Sequence, residues 1–178
     1  MLIPRKAVPT LVVPTLTHGE FDLQREQPAH FTLIVFYRGL HCPACAKYLQ
    51  ELGRLLPEFA QRGVNVIAIS HDTRERAEAM RGKLEAPNLR IGYGLGLATA
   101  RDWGLYISAT RGKSSLDIEE TALFPEPGLF LVKPDGTLYF AAVQNMPFAR
   151  PHFDELISAV DFVIAKNYAA RGEYVGAV

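Results

Sequence analysis

The run Phe31-Thr32-Leu33-Ile34-Val35-Phe36-Tyr37, followed after Arg38-Gly39-Leu40-His41 by Cys42-Pro43-Ala44-Cys45, decides how this chain folds. Its first seven residues, rich in β-branched and aromatic side chains, predict a buried strand. From Cys45 the apolar residues recur at Tyr48, Leu49, Leu52, Leu55, Leu56 and Phe59, a spacing that keeps them on one face of a helix. The chain's two cysteines thus stand where strand hands over to helix, Cys42 at the helix's N-terminal end and Cys45 opening the inward stripe. Pro43 suits the first helical position, where its missing N–H costs nothing and its fixed φ is already helical.

Physics gives that placement a use. The unpaired N–H groups and positive dipole end of a helix favour an anion and lower the pKa of a thiol placed there, and the thiolate is the reactive species. Side chains at i and i+3 lie on nearby faces, close enough for a disulfide. An exposed attacker, Cys42, with a buried partner, Cys45, is the minimum for reversible dithiol chemistry. Arg38 and His41 are candidates to oppose the Cys42 charge, and Arg38 also to orient a peroxide or disulfide substrate; the plainer alternatives are an Arg paired with Asp or Glu and an ordinary loop His. Arg150, in Met146-Pro147-Phe148-Ala149-Arg150-Pro151, has weaker support and reads as flanking a helix start. Half of a zinc site is the competing use of Cys-X-X-Cys. Zinc usually takes four ligands, however, no second cysteine pair exists, and His18, His30, His41, His71 and His152 show no ligand-like spacing. No metal and no cofactor are expected.

With 178 residues, 48% of them hydrophobic, the chain can bury one substantial core, so a single domain over residues 1–178 is the expectation. Nineteen Lys plus Arg balance nineteen Asp plus Glu, and no basic run interleaves with aromatics, which argues against a nucleic-acid surface. Pro4, Pro9 and Pro14 break the N-terminal stretch and defeat a signal-peptide hydrophobic region, and no apolar run has the length to cross a bilayer. The expected location is the cytoplasm, without membrane contact, where paired thiols more often catalyse or sense than staple.

Along the chain, Val8 to Leu23 alternates short apolar pieces with Pro, Thr and Gly, as small strands or a hairpin turning near His18-Gly19. Val64 to Ser70 is a second buried strand, and strand, helix, strand at this spacing predicts a parallel βαβ unit. Pro57 predicts a kink, or a break at Leu56. Asp72 with Glu75 predicts a capping box for a helix through Leu84. A short strand follows near Leu89 to Tyr93, then a short helix, Leu97 to Gly104, carrying Trp103, which reads as a core residue rather than a substrate platform. Ser108 to Thr121 is polar, without a period, and reads as an excursion. Gly128 to Val132 and Thr137 to Val143, joined by Lys133-Pro134-Asp135-Gly136, predict a hairpin, and Phe153 to Tyr168 a closing amphipathic helix. The order predicts an α/β fold, a central mixed β-sheet flanked by helices with an N-terminal β extension.

The strand, the Cys-Pro-Ala-Cys helix start and the later Glu126-Pro127-Gly128-Leu129-Phe130-Leu131-Val132 before a Pro-Asp-Gly turn resemble the thioredoxin-like superfamily. Within it, Phe36 to Pro43, the Val8-to-Leu23 extension and the Lys133-Pro134-Asp135-Gly136 hairpin are similar to the alkyl hydroperoxide reductase and thiol-specific antioxidant family, its peroxiredoxin-like branch. The likeness covers most of Val8 to Val143. It allows two registers. Aligned without a gap from Phe36-Tyr37, Arg38 takes the place of the motif proline, Cys42 that of the threonine, and Cys45 is peroxidatic. Aligned on Cys-Pro, with a three-residue deletion, Cys42 is peroxidatic. The thioredoxin-type comparison makes Cys42 the attacking and Cys45 the resolving thiol, puts Pro127 at the position that is cis in thioredoxins and pairs with substrate backbone, and places Phe36 where many thioredoxins hold a buried carboxylate. The resemblance implies a thiol-dependent oxidoreductase that reduces a hydroperoxide or protein disulfide, with catalytic Cys42, Cys45 and Arg38 and substrate-binding Pro127 and His41. It further implies a thiol reductant, the thioredoxin system or glutathione, as partner, and leaves room for a homodimer. The alternatives are a non-catalytic redox sensor or binding module on the same fold, and a structural zinc module.

Overall fold

The computed structural model describes residues 2–177. In chain order the elements are β1 (Val12–Pro14), β2 (Glu20–Asp22), a 3-10 turn (Leu23–Arg25), β3 (Phe31–Phe36), α1 (Pro43–Gln61), β4 (Val64–Ile69), α2 (Arg74–Gly82) and β5 (Ile91–Gly92). There follow α3 (Leu97–Asp102), β6 (Ile107–Ala109), β7 (Leu123–Pro125), β8 (Gly128–Val132), β9 (Leu138–Val143) and α4 (Phe153–Lys166). Five strands form one mixed sheet in the order β5-β4-β3-β8-β9: β3 runs parallel to β4 and β4 to β5, whereas β8 is antiparallel to both β3 and β9. β1 and β2 form the expected N-terminal hairpin.

β3 lies at the centre of the sheet and is buried along its whole length. Its alternation splits the core in two, because successive side chains leave a strand on opposite faces. Leu33, Val35 and Tyr37 join Leu49, Leu52, Phe59 and Phe153 under α1 and α4. Ile34 and Phe36 join Trp103, Phe130 and Phe21 under α3 and the β1–β2 hairpin. Trp103 is fully buried, its ring 5.0 Å from Phe130 and 5.5 Å from Phe36.

Three expectations are corrected. α1 is one helix from Pro43 to Gln61 with Pro57 inside it, not two pieces broken at Leu56. An interior proline costs roughly 3 kcal/mol. The buried stripe of Cys45, Leu49, Leu52 and, beyond the proline, Phe59 fastens the helix on both sides of it. The cap of α2 is Thr73, whose side chain accepts the Arg76 N–H, rather than Asp72. The excursion from Ser108 to Thr121 is the tip of a β-hairpin arm: β6 pairs with β7, and Lys113 bridges Glu119.

Candidate active site

The turn between β3 and α1 delivers both sulfurs. Cys42 is the N-cap of α1, and its Sγ accepts the Cys45 N–H at 3.2 Å, doing for this helix what a serine hydroxyl does for many others. Both thiols are free and buried, Cys42 2% exposed and Cys45 fully enclosed, which corrects the expectation of an exposed Cys42. The reason is the fold of the preceding loop. The Cys42 N–H returns to the Gly39 carbonyl at 3.1 Å, and the Leu40 N–H is bound by the buried Asp72 carboxylate at 2.7 Å, drawing the loop down over the sulfurs.

The cation at the thiols is Arg150, on the segment between β9 and α4. Its Nη2 lies 3.0 Å from Cys45 Sγ and 4.0 Å from Cys42 Sγ. Nε and Nη1 are buried and have no partner among the described residues. Pro151 confines Arg150 to extended backbone, because a proline ring excludes helical conformations from the residue before it. Below Arg150 runs an open groove of about 250 Å³ whose wall includes Ala44, Lys47, Tyr48 and Phe148, the last 82% exposed.

These neighbours separate the two thiols electrically. Burial alone pushes the Cys45 thiol up, but the Cys42 S–H, the charge and N–H groups of Arg150 and the backbone N–H of Arg38 outweigh it and bring it down to about 6. Cys42 moves the other way, because its hydrogen bond to Cys45, and then burial, hold its proton in place. The surroundings favour the thiolate on Cys45, with Cys42 as its donor.

The Arg38 guanidinium does not face Cys42. Its Nε is 3.4 Å from Glu126, its Nη2 is 3.7 Å from Glu120, and its carbon stands 4.7 Å from the Phe124 ring centre. Its charge is therefore committed to two carboxylates of the arm and its approach, and what it offers Cys45 is a backbone N–H. His41 is 1% exposed against Phe124, and burial, together with the Arg38 charge, holds its pKa below the usual histidine value. Both effects favour the neutral ring over the cation that would oppose a Cys42 charge. Pro127 is buried beside the end of β3, but there is no cis peptide bond among the described residues. The Glu126 N–H bonds the Tyr106 carbonyl and the Pro127 carbonyl accepts the Gln144 N–H, so the chain passes straight from β7 into β8 through a trans bond. Phe36 packs against Trp103 and Phe130 and brings no carboxylate near the sulfurs.

Two residues that matter here lay outside the sequence-derived site. Asp72 was legible only as a cap, although its carboxylate binds Leu40 and Arg76. Arg150 carried one faint signal, an arginine fixed ahead of a proline at the mouth of a terminal helix. Among the described residues no three His, Cys, Asp or Glu side chains gather where they could hold a metal ion, and no helix is long and apolar enough to cross a membrane.

The sequence profile described as AhpC/TSA family matches residues 4–141. The chain belongs to the AhpC/TSA family. No curated protein matches this AhpC/TSA chain significantly. Among solved structures it is similar to peroxidoxin BcpB from Mycobacterium tuberculosis, with TM-score 0.67 and 17% identity over 92% of this chain and 99% of that one. It is similar also to the reduced 2-Cys peroxiredoxin of Plasmodium vivax, with TM-score 0.75 and 15% identity over 94% and 84%. A third is the peroxiredoxin-like protein from Aquifex aeolicus, with TM-score 0.70 and 15% identity over 92% and 88%. At such identities the likeness shows the fold, which is that of peroxiredoxins and thioredoxin-like proteins. Family and fold together support a thiol-dependent redox function for this AhpC/TSA protein.

Proposed function

We propose that this protein is a thiol peroxidase in which Cys45 attacks and Cys42 resolves. The observation that carries the reading is the Arg150 guanidinium 3.0 Å from Cys45 Sγ, with Cys42 placed to keep its own proton. This favours the gapless register over the one that makes Cys42 the attacker.

Burial favours a hydroperoxide over a protein disulfide. Attack on a disulfide needs in-line approach to a sulfur that carries a bulky chain on its far side, and in the reduced form neither cysteine offers that access to a protein disulfide. A hydroperoxide needs room for two oxygens, and the unpartnered Nε and Nη1 of Arg150 are donors suited to an oxygen that gains negative charge. The Cys45 thiolate attacks the terminal peroxide oxygen. The S–O bond forms, the O–O bond breaks, and the leaving alkoxide takes the Cys42 proton, giving an alcohol and a Cys45 sulfenic acid. The Cys42 thiolate so formed attacks that sulfur and expels hydroxide, which solvent protonates to water. The disulfide is then reduced by a thiol reductant, the thioredoxin system or glutathione.

Thiol counting by mass after one equivalent of hydrogen peroxide tests the reading. The reduced protein is expected to lose two hydrogens, Cys42→Ser to accumulate a trappable sulfenic acid on Cys45, and Cys45→Ser to consume no peroxide. A sulfenic acid on Cys42 in the Cys45→Ser protein would hand the attack to Cys42. A chain that never loses two hydrogens would leave the redox sensor or binding module without its switch as well.

A further inference from the structure

A single side chain of α1 links the segment that carries the cation to the helix that carries the sulfurs. The Tyr48 hydroxyl donates to the Pro151 carbonyl at 2.6 Å, one residue beyond Arg150. The Arg150 guanidinium carbon lies 4.8 Å from the Tyr48 ring centre, within cation–π range. The same ring stacks on Phe153, the first residue of α4, with centres 4.2 Å apart and planes inclined by 29°. Phe153 is itself fully buried and meets Phe59 edge-on, so the stack is anchored in the core. Tyr48 and Cys45 sit one turn apart on one helix, and residues three apart are neighbours on a helix surface.

Arg150 has little else to hold it. Its one hydrogen-bonding nitrogen among the described residues is the one at the sulfurs, and no salt bridge fixes its guanidinium. A long side chain that loses its freedom on ordering needs compensating contacts. The aromatic face supplies one such contact and the phenol bond fixes the backbone that aims the side chain.

We propose that Tyr48 is a positioning residue that holds Arg150 against the Cys45 sulfur. Its hydroxyl bonds the Pro151 carbonyl rather than a sulfur, and it acts through the guanidinium. The inference rests on the reading of Cys45 as the attacking thiolate, and its test keeps the two apart.

The test follows the ultraviolet absorbance of the thiolate against pH in the full-length reduced protein, for wild type, Arg150→Gln, Tyr48→Leu, Tyr48→Phe and the double variant Tyr48→Leu/Arg150→Gln. Tyr48→Leu is expected to weaken the Cys45 ionisation constant roughly five- to tenfold, the size of a partly desolvated cation–π contact. Tyr48→Phe, which keeps the ring and loses one neutral hydrogen bond, is expected to weaken it about two- to threefold. In the double variant Tyr48→Leu should add nothing to Arg150→Gln, since the two act through one contact. A constant moved by Arg150→Gln but unmoved by Tyr48→Leu and Tyr48→Phe, whatever their thermal stability, overturns the role of Tyr48 and leaves the Cys45 reading standing. A constant unmoved by Arg150→Gln overturns both. If Tyr48→Leu does not fold, Tyr48→Phe decides alone.

Discussion

The Asp72 carboxylate accepts the Leu40 N–H at 2.7 Å, binding the loop ahead of the cysteines to the segment ahead of α2. The other carboxylate oxygen takes the Arg76 Nε at 2.8 Å, and Arg76 continues to the Glu119 carbonyl of the arm at 3.0 Å. Gly39 makes the approach possible. Its φ is +137°, and a Cβ there would stand 2.8 Å from the nearer Asp72 oxygen. One buried acid therefore ties together the cysteine loop, α2 and the arm.

Removing that acid strands its donors. Asp72→Ala is expected to lower unfolding free energy by about 2–4 kcal/mol, since a buried amide and a half-buried guanidinium lose their acceptor together. Urea denaturation at pH 7 measures it; a loss well under about 1 kcal/mol would mean that water replaces the carboxylate.

The Cys45 ionisation makes stability and rate depend on pH with a definite sign. Its thiol is lowered to about 6 in the folded chain, so between there and the ordinary thiol range the unfolded state binds the extra proton. Folding stability should therefore rise with pH across that window and lose this contribution as pH falls through 6. The second-order rate with peroxide should rise through the same value and level off above it. Stopped-flow rates and denaturation midpoints taken across the window check both, and Cys45→Ser should flatten the rise of stability between about pH 7 and the ordinary thiol range.

Arg38 and Arg150 should behave differently when neutralised. Arg38→Leu removes the cation between Glu120 and Glu126, of which Glu126 is 4% exposed, and should loosen the arm, read as faster proteolytic cleavage within residues 110–122. The Cys45 ionisation should shift by less than about threefold, because the group Arg38 lends to that sulfur is a backbone N–H that every residue but proline retains. A shift as large as that of Arg150→Gln would contradict this division of labour.

α1 touches the loop after α2 so closely that Gly53 has no room for a side chain: a Cβ there would collide with that of Ala86. Alanine favours a helix over glycine by about 1 kcal/mol, yet Gly53→Ala is expected to destabilise by about 1–3 kcal/mol through overpacking. Adding Ala86→Gly should restore most of the loss. Thermal unfolding of the single and double variants decides it.

The sheet, α1 and the terminal hairpin were legible because each leaves a local mark: β-branched runs at β3 and β4, helical spacing from Cys45 to Phe59, a Pro-Asp-Gly turn. β6 and β7 leave none, being three residues each with no alternation to read. Asp72 was misread for the same reason. Asp72-Thr73-Arg74-Glu75 has the form of a cap, and the partner that claims the carboxylate, Leu40, is 32 residues away. The dithiol was plain, but its polarity was not. Cys42 has the better position by helix geometry alone, and only the return of the chain after β9, bringing Arg150 across 105 residues to Cys45, shifts the charge to the second sulfur. Arg38 and His41, adjacent in sequence to the pair, were drawn instead toward Glu126 and Phe124 by contacts no spacing encodes.

Because Cys42 Sγ is the acceptor that closes the first turn of α1, the disulfide of the cycle proposed above would form at the very atom that caps the helix. Redox state and helix start would then be read at a single sulfur.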